Sequence, residues 1–207
     1  LIGQTSFIYE AGSAFSMDRE TTLMTGDFEH HPDKNVVEQM SERGVPELLF
    51  EKYDGTLEFH EPWHEGREMS HLFRGKVDVE EVNVMLSEEG HGDLRLLDNG
   101  AIGRPMPGIE ITHCYHLVPK GVSKSRAVAA HAAARGYAKE ETIAVGDSAE
   151  DLEVARSVGT FYVVANGPER DAGLKATLSQ HANAVVTEGR AGDGFYEAIV
   201  TSLVSGQ

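Results

Sequence analysis

The stretch IAVGDSAEDLEVA, Ile143 to Ala155, constrains the chain more than any other. Three apolar residues, Ile143, Ala144 and Val145, lead into Gly146 and a carboxylate, Asp147. A second carboxylate, Asp151, follows four residues later, and Leu152, Val154 and Ala155 begin a helical pattern. The pattern predicts a buried parallel strand, a tight turn and a helix, with Asp147 at the carboxyl tip of the strand. Open α/β sheets bind ligands in the crevice outside the carboxyl ends of their strands. Asp147 therefore points where chemistry would occur, with Asp151 one helical turn away. Two carboxylates with hydroxyl and backbone oxygens nearby suit a hard divalent cation such as Mg²⁺. The plainer reading is that Asp147 and Ser148 only cap the helix.

The surrounding residues repeat the same alternation. Tyr115 to Val118 reads as a strand, PKGVSK as a turn, and Ser125 to Arg135 as an alanine-rich helix ended by Gly136. After the central strand and a helix ending at Gly159 come a strand from Phe161 to Ala165 and a turn at Asn166-Gly167-Pro168. A helix from Glu169 to Gln180, a strand from Ala184 to Thr187 and a helix from Gly194 to Leu203 complete the pattern. Four strands alternating with four helices predict a parallel sheet covered on both faces.

Lys124 stands at the start of one of these helices, beside Ser123, in a loop expected at the same sheet edge. A lysine there adds a point charge to free backbone N–H groups and a favourable dipole, which makes an anion site. A solvated lysine is the alternative. Lys120 is close by but precedes the loop glycine and is expected to be more exposed. Asn166 ends the next strand, where it could bind substrate or orient Asp147; a turn-forming asparagine explains it equally well.

Residues 16 to 113 have a different texture. His30 to Arg43 holds a helix-compatible stretch closed by Gly44, with Val36, Val37 and Met40 on one face. Leu48-Leu49-Phe50, then Tyr53-Asp54-Gly55-Thr56 and alternating Leu57 and Phe59, predict a hairpin turning at Asp54-Gly55. A strand is expected from Arg67 to Phe73, a helix from Val79 to Glu88, a strand from Leu94 to Leu97 and a loop from Gly103 to Gly108. This alternation predicts a small α+β domain. Before it, Leu1-Ile2-Gly3 reads as the end of a helix and Phe7 to Tyr9 as a short strand with a turn at Gly12.

Composition narrows the partners. Eighteen basic against 34 acidic residues leave a net charge of −16, which argues against nucleic acid or an anionic membrane as the main partner. A single cysteine, Cys114, excludes an internal disulfide and fits a reducing compartment. No apolar run approaches bilayer-spanning length and no signal peptide is visible, so a soluble, cytoplasmic protein is expected. Nothing in the sequence sets an oligomeric state.

Taken together, GVSK followed by a helix, IAVGDSAED, and VVANG resemble the C-terminal half of haloacid-dehalogenase-superfamily phosphatases. The similarity is to the subfamily IIB-like group, whose large α/β cap lies between the second and third motifs, and SFIYEAGSAF resembles the strand that leads into such a cap. The resemblance implies a haloacid-dehalogenase-like Rossmannoid parallel sheet, N-terminally incomplete, with an inserted α+β cap. Residues 1–15 and 114–207 would form the core and 16–113 the cap. It implies a Mg²⁺-dependent phosphomonoesterase acting on a small phosphorylated metabolite such as a sugar phosphate. Lys124 would bind the transferring phosphoryl group, Asp147 would ligate Mg²⁺, and Asp151 would support the metal site.

The departure from that family is large. Its nucleophile and general acid lie in an Asp-x-Asp motif, and this chain has none. Tyr53-Asp54-Gly55-Thr56 mimics the tail of the motif's common form, but Lys52 stands two residues before Asp54 and cannot form an aspartyl-phosphate. The readings are then a chain lacking the N-terminal motifs, or a non-catalytic ligand-binding or interaction protein that kept the sheet and anion pocket. An unrelated doubly wound domain with a chance GDxxxD is the third.

Substrate clues are confined to HEPWHEGREMSHLFR, which gathers His60, His64, Arg67, His71 and Arg74 in an acidic chain. Arg67 and Arg74 could recognise a second anionic group of the substrate, or form a polar strand face. A zinc site is disfavoured because Pro62 keeps His60 and His64 off one helical face. His113 and His116 are assigned no chemistry.

Overall fold

The computed structural model describes residues 6–206, and the reading of Leu1-Ile2-Gly3 as a helix end lies outside them. The chain divides into two compact units, one running to Val122 and one starting at Ser123.

The first unit is built on antiparallel pairing. Strands β1 (Phe7–Tyr9), β2 (Ala14–Met17) and β3 (Glu20–Leu23) form a meander in that order. Helix α1 (Val36–Glu42) starts at a capping box in which Asn35 and Glu38 each accept the other's backbone N–H, at 2.8 and 2.9 Å. It is shorter than the stretch from His30 predicts. Helix α2 (Val45–Lys52) has Pro46 in its first turn and buries Val45 and Leu49, four residues apart. The predicted hairpin at Asp54-Gly55 is therefore not formed. That turn instead joins α2 to strand β4 (Leu57–Phe59), whose partner is β5 (His71–Gly75).

Strand β5 starts at His71 rather than Arg67 because the N–H groups of Glu68, Met69 and Ser70 go to the Glu10 carboxylate instead of a neighbouring strand. Helix α3 (Val79–Glu88), capped by Asp78, buries Val82 and Leu86 as its spacing predicts. Strands β6 (Leu94–Ala101) and β7 (His113–Pro119) complete an antiparallel sheet of order β4-β5-β7-β6. This corrects the parallel role expected for residues 115–118: β7 is an interior strand of the first unit, paired with β5 from His71↔Leu117 to Gly75↔His113. The core of this unit gathers Val36, Met40, Leu49, Phe73, Leu86, Leu96 and Leu117.

The second unit is the α/β layer. Helix α4 (Lys124–Arg135) ends at Gly136 in the left-handed conformation and is followed by strand β8 (Ile143–Gly146). Helix α5 (Ala149–Leu152) is a single turn continued by a 3₁₀ segment, not the regular helix expected to Gly159. Strand β9 (Thr160–Val163) leads to α6 (Gly167–Arg170), which replaces the predicted turn because Pro168 sits in a helical first turn. Helix α7 (Ala172–Thr177) opens at Asp171, which caps it, and β10 (Ala184–Val186) and α8 (Ala191–Ser205) follow. The sheet is parallel, in the order β10-β9-β8. Leu152, Val158, Phe161, Val163 and Leu174 form its core. The α/β class with parallel and antiparallel sheets is as expected.

Candidate active site

Strand β8 delivers Asp147 just past its carboxyl end, and the geometry there depends on a glycine. A Cβ on Gly146 would lie 2.5 Å from Asp151 Cβ and 2.9 Å from the Phe161 ring, so only glycine lets the helix carrying Asp151 close on the strand. Ser148 caps α5 by accepting the Asp151 N–H at 3.1 Å. The capping role in the plainer reading is thus filled by Ser148, and the Asp147 carboxylate does not make that bond.

Lys124 and Asp151 meet. The Lys124 ammonium lies 2.9 Å from Asp151 Oδ1 and 3.1 Å from Glu150 Oε2. Burial acts to lower the lysine's pKa, but the two carboxylates outweigh it and hold the pKa above its ordinary value. Burial likewise acts to raise Asp151, and Lys124 more than reverses it, holding the carboxyl below the usual range. The other Asp151 oxygen faces the Asp147 N–H at 3.4 Å. Asp147 itself is half-exposed, with Arg170 at 3.8 Å. Lys120, in the first unit, is exposed, in keeping with its expected difference from Lys124.

Asn166 is buried, and its side-chain oxygen accepts the Ala191 N–H at 2.6 Å, at the start of α8. Its backbone neighbour Gly167 packs against Asp147, where a Cβ would meet the Asp147 carbonyl oxygen at 3.0 Å. Arg67 and Arg74 lie in the first unit, each with a partner. Arg67 bonds Ser70 and pairs with Glu10, and Arg74 pairs with Glu58, opposite it across β4 and β5. His60 lies 3.5 Å from Cys114 Sγ, while His64 accepts the Leu72 N–H and stacks on Phe59. Among the described residues, no group of three or more His, Cys, Asp or Glu side chains converges as a metal cluster.

Three participants escaped the sequence reading: Glu150, Asp171 and Arg170. A lysine this buried needs anionic company, so the residue beside Asp151 was a legible candidate. Asp171 accepts the N–H groups of Ala149 at 2.7 Å and Leu174 at 3.0 Å, joining the starts of α5 and α7. Its position three residues before Leu174 was a capping signal for α7, but the contact with Ala149 had none.

The arrangement of lysine, paired carboxylates and glycine-closed strand end can be set beside known proteins. Residues 110–199 match the family model for haloacid dehalogenase-like hydrolases. Over these residues the chain is similar to that family. Among relatives of these hydrolases, a phosphoglycolate phosphatase of Halobacterium salinarum is 29% identical, with 65% of this chain and 66% of that one covered. A phosphoglycolate phosphatase of Methanoculleus marisnigri is 34% identical over 61% of this chain and 45% of its own length. The chain thus spans about two-thirds or less of the curated relatives it matches.

The fold also appears in the sucrose-phosphatase of Synechocystis sp. PCC6803, solved with sucrose and phosphate. It is 16% identical with a TM-score of 0.59, covering 92% of this chain and 71% of that one. The Streptococcus mutans protein SMU.1108c is similar at 14% identity and a TM-score of 0.59, covering 97% and 77%. Among the described residues, no helix is long and apolar enough to cross a membrane.

Proposed function

We propose that these residues carry the phosphate- and metal-binding half of a Mg²⁺-dependent phosphomonoesterase acting on a small phosphorylated metabolite. The observation that carries the reading is the convergence of Lys124 with Asp151 beside Asp147 at the carboxyl end of β8. The second unit would serve as the core, and the first unit's antiparallel sheet would form the cap, with β7 on the cap's side. The relatives named phosphoglycolate phosphatase support a phosphorylated carboxylic acid as the substrate class.

The residues fit the metal. Mg²⁺ is commonly held by one or two carboxylates, with waters and substrate phosphate oxygens completing its shell. Asp147, half-exposed, is available as the direct ligand, and Asp151 would support it through the contact with the Asp147 N–H. When bound, the ion would neutralise charge on the phosphoryl oxygens. Lys124 would hold a phosphoryl oxygen, exchanging part of its pairing with Glu150 and Asp151 for the incoming anion. The two carboxylates keep the lysine protonated and aimed at neutral pH, so no proton need be supplied when the anion arrives.

An aspartyl-phosphate route takes its nucleophile from an Asp-x-Asp, which these 207 residues do not contain. The same observation favours a second reading, a non-catalytic anion-binding protein. Calorimetry with inorganic phosphate in the presence of Mg²⁺ tests the shared site. Lys124→Ala is expected to weaken phosphate binding by about tenfold or more, and Lys120→Ala to leave it unchanged. The reverse order would remove the assignment. An assay with an aryl phosphate is expected to give no turnover by this stretch alone. Mg²⁺-dependent turnover abolished by Asp54→Asn would restore Asp54 as a nucleophile.

A further inference from the structure

Glu10 occupies a cradle in the first unit. One carboxylate oxygen accepts the Glu68 N–H at 3.1 Å; the other accepts the N–H groups of Met69 and Ser70 at 3.0 and 2.7 Å and the Ser70 hydroxyl at 2.9 Å. Arg67 Nε lies 3.5 Å from the same oxygen, and the two side chains are only 12% and 17% exposed. The donors are also held from behind. Arg67 bonds the Ser70 carbonyl and hydroxyl at 3.1 and 2.9 Å, and the His116 ring stands 3.2 Å from that hydroxyl.

Three consecutive N–H groups, a hydroxyl and a guanidinium form a concave, electropositive site for a two-oxygen anion. The occupant reaches it at a cost the cradle does not share. Glu10 and Ala11 have φ of +47° and +58°, two successive non-glycine residues in the left-handed region, where an L side chain is strained. The Ser70 end of the donor set is held by contacts that do not involve Glu10, and its guest is held under strain.

We propose that residues 67–70 are a carboxylate-binding site whose resident occupant is Glu10, and that the carboxylate of a small ligand exchanges with it. The ligand's role as substrate rests on the function proposed above; the exchange itself does not. Division of the donors between two oxygens fits a planar carboxylate head, and release of Glu10 would relax the backbone at residues 10 and 11.

The test empties the cradle with Glu10→Ala and adds acetate or glycolate at constant ionic strength. The expected result is a rise in Tm of about 4 °C at a tenfold excess over Kd. The rise should be smaller in the parent chain, where Glu10 competes, and absent when Arg67→Met is added to Glu10→Ala. A folded Glu10→Ala protein with no carboxylate-dependent rise would overturn the proposal. So would an equal rise in the parent, or one matched by inorganic phosphate. If Glu10→Ala does not fold, Glu10→Gln replaces it, and the Glu68, Met69 and Ser70 amide resonances should move on acetate titration; unmoved resonances overturn the proposal. The probes carry no phosphate and the readout needs no turnover. Failure here therefore leaves phosphate binding at Lys124 intact, and failure there leaves the cradle standing.

Discussion

The two units solve the burial of a β-strand in opposite ways. In the first, β5 and β7 lie inside an antiparallel sheet, and β7 is buried from Cys114 to Pro119. In the second, β8 pairs with β9 alone among the described strands, and all four of its residues are only half-buried. Parallel sheets are ordinarily covered on both faces, and their strands read as continuous apolar runs. Strand β8 has the apolar run with only partial cover. The strand whose end carries the proposed site is thus the less protected one, whereas the best-buried strand carries none of the residues proposed to bind phosphate or metal. Apolarity in a sequence marks what can be buried; the topology decides how far it is.

The sharpest way to break this contrast is to remove apolar bulk from each unit. Phe73→Ala, at a fully buried site, is expected to cost about 3–5 kcal/mol. Ile143→Ala in half-buried β8 is expected to cost about 1 kcal/mol. Urea unfolding measures both, and equal losses would erase the difference.

Next in size is a pH effect confined to the first unit. Burial, with a smaller contribution from the charge of His64, pushes His71 from its ordinary 6.5 down to about 4. The folded state favours the neutral ring, so this stability is fully present above the unfolded pKa. It is lost as pH falls from about 6.5 towards 4, by on the order of 3 kcal/mol. Stability measured across that window should flatten in His71→Phe, and an unchanged slope would shift the cause elsewhere.

The smallest effect compares two carboxylates four residues apart. Asp151→Asn removes a partner from the three-quarters-buried Lys124 pair and is expected to cost about 1–2 kcal/mol, since Glu150 remains. Asp147→Asn, at an exposed position, should stay within about 0.5 kcal/mol. A similar loss for both would mean that Asp147 holds the fold, not a ligand.

How much of this was legible varied with the range of the contact. The strand-glycine-aspartate run, the helix opening at Lys124 and the α3 boundaries follow from local patterning, and all three stand in the structure. The partner of β7 did not, because a short strand-like run says nothing of the direction of its neighbours. Helix α2 was missed for a related reason: Leu48-Leu49-Phe50 is too short a run to show its period, and the clue lay in Val45, Pro46 and Leu49 taken together. The Glu10 cradle was beyond reach, since its contacts join residues about 60 positions apart and depend on backbone conformations that Glu and Ala rarely adopt.

Asp171 has a consequence for movement. One carboxylate receives N–H groups from the first turns of two different helices, so the start of α5 and the start of α7 are fastened to the same pin. The loop bearing Asp147 and Ser148 ends on that pin, and residues 22 positions downstream set how far it can swing. A displacement of α7 would therefore carry Asp171 with it and pull on the first turn of α5, so the two helix starts move together.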